Sequence, residues 1–186
     1  ILRGVDLDLA PGELVAVVGR NGSGKTTLLR ALVGLQRVES GHIELGGRPI
    51  SSWAPTERIG RLGFVPQAPA SMLFAETAED EIASTLRRRG EAAGAVEPWL
   101  EAFGLAGVRQ RYPRDLSAGE RQRLALGAIL AGLPSVLLLD EPTLGMDRAR
   151  LAWLGGVLTE LRRAGCAILV ATHDPGFVAG FATRAL

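Results

Sequence analysis

The apolar positions along the chain change period several times, and each change marks an element. Residues 13–18 form a valine-rich apolar run between Pro11-Gly12 and a cluster of glycines, which predicts a buried strand. Over 25–35 the leucines at 28, 29, 32 and 35 recur at helical spacing, and Gly34 marks the end of that predicted helix. Residues 41–65 predict short strands and turns, among them 42–45 and 62–65. From 75 to 114 alanine, glutamate and arginine dominate, and Gly90, Gly94, Pro98, Gly104 and Gly107 break the stretch into short helices. A helix is then predicted over 120–131, a strand over 136–139, and a helix over 148–163 with Leu151, Leu154, Leu158 and Leu161 on one face. A strand over 167–171 closes the series. Strand and helix in alternation predict an α/β fold, a mostly parallel sheet flanked by helices. The helical stretch at about 68–116 reads as an insert between core segments 1–67 and 117–186 of one domain.

Composition narrows the function classes. Twenty-one cations against twenty anions leave a formal net charge of +1 over 186 residues. No excess positive field is available to hold a polyanion, so nucleic acid is not an expected partner. Twenty of the cations are arginine and one, Lys25, is lysine. The single cysteine, Cys166, excludes an internal disulfide framework, fits a reducing compartment, and heads a predicted buried strand where core packing is its simplest role. No run of 18 apolar residues occurs, so no bilayer-spanning helix is expected. The chain opens on Ile1 and ends at Ala185 and Leu186 as another apolar run starts. It reads as an excerpt of a longer polypeptide, with both ends of the full domain missing.

Three motifs carry chemistry. Gly19-Arg20-Asn21-Gly22-Ser23-Gly24-Lys25-Thr26 has the G-x-x-x-x-G-K-[ST] spacing of a P-loop and lies between a predicted strand and a predicted helix. Its glycines let backbone N–H groups curl round phosphate oxygens, and the helix N-terminus adds its positive dipole end. Lys25 would reach the β- and γ-phosphates and Thr26 would ligate Mg²⁺, with Thr27 beside it; the plain alternative is a glycine-rich turn that binds nothing. In Val136-Leu-Leu-Leu-Asp140-Glu141 an apolar strand runs into two carboxylates. Asp140 would hold the Mg²⁺ shell and Glu141 would orient or deprotonate an attacking water; by itself the run is also an ordinary acidic turn. In Leu116-Ser117-Ala118-Gly119-Glu120, Ser117 and Glu120 have the spacing of a capping box, and a capped helix N-terminus is itself an anion site.

The order of these motifs resembles the ATP-binding cassette (ABC) family, whose signature sequence is Leu-Ser-Gly-Gly-Gln, over essentially the whole chain. The resemblance implies a P-loop NTPase fold with an inserted ABC helical subdomain, hydrolysis of ATP with Mg²⁺, and further site residues. Gln67 in Phe64-Val-Pro-Gln67 resembles the Q-loop glutamine that touches the Mg²⁺ shell. Asp147 in Thr143-Leu-Gly-Met-Asp147 resembles the D-loop, and His173 in Ala171-Thr-His173-Asp174 resembles the switch histidine at the γ-phosphate. The resemblance also implies a second such domain, packed so that Ser117 and Gly119 of one face the P-loop of the other. It further implies an integral membrane transporter subunit and a place on the cytoplasmic face of the membrane. The stretch Met72-Leu-Phe-Ala-Glu-Thr77 and the Thr143–Asp147 segment are similar to energy-coupling-factor ATPases, which power uptake of vitamins and of cobalt or nickel ions. Other ABC importers or exporters and soluble ABC ATPases are the alternatives.

Two signature positions depart from the pattern, Ala118 for glycine and Glu120 for glutamine. The family stacks adenine on an aromatic residue ahead of the P-loop, but here no aromatic residue precedes Trp53. Trp53 lies on the wrong side of the motif, and the stacking residue is expected in the missing N-terminal segment. Arg87, Arg88 and Arg89 read as a solvated helix face, His42 as a turn or sheet residue, and Trp99 and Trp153 as core.

Overall fold

The computed structural model describes residues 2–186. In chain order the elements are β1 (Leu14–Val18), α1 (Lys25–Leu32), β2 (Glu44–Leu45), β3 (Arg48–Pro49), α2 (Pro55–Ile59), β4 (Leu62–Val65), α3 (Ala78–Arg88), α4 (Glu97–Ala102), α5 (Ala118–Leu130), β5 (Val136–Asp140), α6 (Arg148–Arg163), β6 (Ala167–Thr172), α7 (Pro175–Phe181) and β7 (Arg184–Ala185). The chain forms two compact units, one of residues 2–67 with Ser135–Leu186 and the other Ala68–Pro134.

The first unit is built on a five-stranded sheet in the order β4-β5-β6-β1-β7, with every pairing parallel. All six residues of β6 are buried, as the central strand of a sheet covered on both faces requires. Val15, Leu138 and Leu169 stand side by side in register and pack with Leu29 and Leu32 of α1. The alternate residues Leu137, Leu139, Ile168 and Val170 point to the opposite face, where α6 lies on β6 and buries Leu154 and Leu158. This is the α/β architecture expected from the alternating pattern.

Helix α1 is shorter than its leucine spacing predicts. It ends at Leu32, Gly34 turns the chain at φ +78°, and the Leu35 amide donates back to the Arg30 carbonyl at 2.8 Å. Leu35 therefore stands exposed beyond the cap instead of extending the apolar face. The 42–45 strand shrinks to β2, which pairs with β3 as a separate two-residue hairpin.

The second unit is helical, with Thr77 capping α3 through the Asp80 amide at 3.0 Å. Buried Glu81 accepts the amides of Phe74 and Ala75, both at 2.8 Å, so one carboxylate pins the turn ahead of α3. This unit runs past residue 116, where the sequence reading ended it, to Pro134: α5 packs on α3, and Arg89 reaches from the end of α3 to the Ala131 carbonyl at 3.0 Å. Arg89 thus caps the negative end of α5. All three arginines read as a solvated face are exposed, and Arg89 adds this cap to that reading.

Adjacent glycines in α6 lead to opposite expectations. A Cβ at Gly155 would lie 2.1 Å from the Phe181 ring of α7, whereas one at Gly156 meets nothing within 4 Å. Gly155→Leu should lower stability by about 1–3 kcal/mol, and Gly156→Ala should raise it by about 0.5–1 kcal/mol. Thermal unfolding of the two variants checks both signs.

Candidate functional site

Parallel register brings four chain segments to one edge of the sheet. Val18 pairs with Thr172, Asp140 with Ala171, and Val65 with Leu139, so β1, β4, β5 and β6 end together. The glycine loop 19–24, Gln67, Glu141 and His173 all follow directly from those ends, at the carboxyl edge where open parallel sheets bind ligands. Gln67 is exposed there, two residues past β4.

The loop after β1 depends on glycine chemistry. Gly22 and Gly24 hold φ at +81° and +102°, a region closed to most side chains, and Gly24 leads directly into α1. A Cβ at Gly19 would lie 2.7 Å from the Ser23 Oγ, and the Ser23 amide donates to the Arg20 carbonyl at 3.1 Å. Arg20, Asn21, Gly22 and Ser23 line the exposed outside of the turn, with Thr27 half-buried in the first turn of α1. Lys25 folds back inside it. Its side chain is only 7% exposed, and Nζ donates to the Gly19 carbonyl at 2.7 Å and the Arg20 carbonyl at 3.3 Å.

Two carboxylates face that ammonium and its neighbour. Thr26 Oγ1 donates to Asp140 Oδ1 at 3.1 Å. Burial pushes the Asp140 carboxyl above the usual range; the Thr26 hydrogen bond opposes this, the adjacent Glu141 charge adds to it, and the Arg30 and Lys25 charges oppose it again. Sequence reasoning passed over Arg30, one helical turn beyond Thr26. Glu141 is buried, and its Oε1 lies 3.2 Å from Lys25 Nζ as an ion pair outside hydrogen-bonding alignment, so this oxygen carries no hydrogen bond. Its Oε2 lies 2.8 Å from His173 Nδ1. The His173 side chain is 52% exposed, leaving the far side of its ring open to a ligand.

This arrangement fits a magnesium nucleotide. Mg²⁺ keeps most of its shell as water and phosphate oxygen and takes one or two protein oxygens. Thr26 Oγ1 and Asp140 Oδ1, already 3.1 Å apart, are such a pair. Gly22 faces open space at its positive φ, and the Oε1 of Glu141, without a hydrogen bond, is a buried acceptor for a water proton.

The remaining motif residues cap helices. Ser117 opens α5 with a full capping box: its amide donates to Glu120 Oε2 at 2.7 Å, and the Glu120 amide donates to Ser117 Oγ at 3.3 Å. The Ser117 hydrogen bonds hold the Glu120 carboxyl below its ordinary range, with the Arg111 and Arg123 charges assisting against desolvation. Gly119 is buried in the first turn. Asp147 caps α6 through the Arg150 amide at 2.9 Å and pairs with the Arg150 side chain at 3.5 Å. Among the residues set aside, Trp53 lies under the guanidinium groups of Arg48 and Arg61, 4.7 and 4.8 Å from its ring centroid. Cys166 is buried and its thiol pKa is pushed up to about 11, which suits a packing role.

The family model for the ABC transporter matches residues 2–144. The chain belongs to the ABC transporter family. The ATP-binding components of that family are ATPases. A Streptomyces coelicolor protein described as an ABC transporter ATP-binding protein is 45% identical over 184 residues, covering 98% of this chain and 32% of its own length. A Methanosarcina mazei protein of the same description is 40% identical over 189 residues, covering 100% and 38%. The chain thus spans about a third of the length of the curated relatives it matches. CbiO1 of Clostridium perfringens, part of the ABC transporter complex CbiONQ, superposes with a TM-score of 0.86 at 27% identity, covering 99% of this chain and 76% of CbiO1. An ATP-binding subunit of an ABC transporter superposes at 0.87 with 25% identity, covering 100% and 79%.

The raised Asp140 pKa has a stability sign. The folded chain holds the Asp140 proton more tightly than the unfolded chain, so stability falls as pH rises from the ordinary aspartate value through the raised one. Above that window the ionised carboxylate weakens the fold. Asp140→Asn should raise the melting temperature of the nucleotide-free chain at pH 7 and abolish the Mg²⁺ dependence of nucleotide binding. Calorimetry and titration with and without Mg²⁺ read the two effects.

Proposed function

We propose that the chain binds Mg-ATP at the carboxyl edge of its sheet and hydrolyses it, as half of a two-domain ATPase that drives transport across a membrane. One observation carries this reading: Lys25, Thr26, Asp140, Glu141 and His173 are joined by side-chain contacts of 2.8–3.2 Å, although they come from three different strand ends. Lys25 and the loop 19–24 bind the phosphates, with Thr27 on the first helical turn. Thr26 and Asp140 would hold the Mg²⁺, with Gln67 reaching its shell from the end of β4. That ion would supply neutralisation of phosphate charge. Glu141 takes up the water proton, and His173 holds the carboxylate in line while its exposed face meets the γ-phosphate.

In this reading Ser117 and Gly119 at the start of α5, together with Asp147, serve the nucleotide of a second ATPase domain. Ser117 and Ala118 are exposed at the start of α5, where a helix N-terminus favours an anion. Similarity to CbiO1, part of an ABC transporter complex, favours an energy-coupling-factor importer for a vitamin or for cobalt or nickel ions. Such a domain works on the cytoplasmic face of the membrane beside an integral membrane subunit. The broad match to ABC transporter ATP-binding proteins supports another ABC importer or exporter as the second reading.

Glu141→Gln should retain ATP binding and slow hydrolysis by about 10²–10⁴-fold, whereas Lys25→Ala should lose binding itself. Equilibrium binding of a fluorescent ATP analogue beside phosphate release distinguishes the two. Undiminished turnover in Glu141→Gln would remove that residue from its role. The identity of the membrane protein that co-purifies with the full-length protein tests the importer class.

A further inference from the structure

Two hydroxyls occupy a place in the core where apolar side chains would serve for packing alone. Thr172, the last residue of β6, is fully buried, and Thr143, three residues past the end of β5, is 6% exposed. Their Oγ1 atoms lie 2.9 Å apart, and the neighbouring strand positions Leu139, Val170 and Ala171 are apolar and buried. Buried hydroxyls are retained where their hydrogen bonds fix a geometry, since each must be satisfied to avoid a desolvation cost.

Thr143 follows Glu141 by two residues and Thr172 directly precedes His173, so each hydroxyl sits on the chain beside one end of the Glu141–His173 contact. Glu141 sits at φ +48°, a conformation that non-glycine residues keep only when their surroundings impose it. Its amide donates to the Ala171 carbonyl at 2.8 Å, and two residues later Thr143 bonds Thr172. Thr172 Oγ1 also accepts the Asp174 amide at 3.1 Å, and Asp174 Oδ1 accepts the Phe177 amide at 2.9 Å to start α7. Both neighbours of His173 are therefore anchored through the one Thr172 oxygen, while the half-exposed imidazole has the Glu141 carboxylate as its hydrogen-bond partner.

We propose that the Thr143–Thr172 hydroxyl pair is a positioning device that stitches the loop after β5 to the loop after β6 and so holds Glu141 and His173 in register. Neither threonine touches the nucleotide; both act through the carboxylate and the imidazole. For geometry the role stands on these bonds alone, and for turnover it rests on the reading of Glu141 as the base. A carboxylate only accepts, so the held contact requires the proton on Nδ1.

The chain has two histidines, His42 and His173, so ¹⁵N imidazole NMR of the nucleotide-free chain reads the contact directly, with His42→Gln giving the assignment. The wild type should show His173 with its proton on Nδ1. Thr143→Val and Thr172→Val, which keep the side-chain shape and delete the hydroxyl, should shift it to the tautomer mixture of a free imidazole. Thr143→Ser and Thr172→Ser should keep the wild-type signal. In parallel, each valine variant should lose about 10- to 100-fold in kcat for Mg-ATP with KM changed less than about twofold, as expected for misplacement of a reacting group rather than lost binding. An unchanged His173 signal in both valine variants overturns the proposal. So does loss of the signal in the serine variants, because the methyl group would then be the cause. Should a single valine variant fail to fold, Thr143→Val/Thr172→Val leaves neither side-chain oxygen widowed and gives the same reading. Absent wild-type turnover, with the NMR shifts as expected, would sink the ATPase reading and keep the stitch; normal wild-type turnover with unshifted signals would do the reverse.

Discussion

A buried ammonium needs several oxygens around it, and Lys25 obtains them only if the rest of this fold is in place. Two come from the backbone of the loop it terminates, the carbonyls of Gly19 and Arg20, and one from Glu141 at the end of a different strand. Taking a charge out of water costs several kcal/mol unless partners replace the solvent. The loop must therefore curl, which only glycine at positions 22 and 24 permits, and β5 must end level with β1 although β6 lies between them. Sheet order, register and loop composition all follow from placing that one cation.

The same cluster holds more negative charge than it can comfortably satisfy. Asp140 and Glu141 are adjacent and buried, Asp140 resists ionisation, and one oxygen of Glu141 has no hydrogen bond. In an apolar core such features would count as defects; in the proposed site they are oxygens on hand for a magnesium ion and for the proton of a water. Keeping two like charges side by side costs stability, which the Lys25 ammonium offsets in part.

The site could be read in the sequence to the extent that its chemistry is local. Lys25 and Thr26 follow a glycine pattern that has meaning within eight residues, and Asp140, Glu141 and His173 each stand directly after an apolar run whose end could be located. Gly34 reads as a stop, but the spacing places the leucine at 35 on the helix, because periodicity carries no information about which side of a cap a residue falls. The reach of the helical unit to Pro134, the cap that Arg89 places on α5, and the Thr143–Thr172 bond were not legible. Each joins residues 29 to 42 positions apart or depends on packing between elements, which register decides and composition does not. Strand β7 was missed for the same reason: two residues carry no periodicity, and the Thr183 hydroxyl fixes it beside β1 through Leu14.

Glu141 stands in a backbone conformation suited to glycine, and its carboxylate is the group that Lys25 and His173 both meet. Glycine at this position would relieve the backbone and remove the like charge beside Asp140, but it would leave the buried Lys25 ammonium with the two loop carbonyls alone. Backbone and charge therefore pull this one position in opposite directions. A copy of the domain that lost the carboxylate would gain an unstrained turn and give up the clasp by which the end of β5 holds the loop after β1.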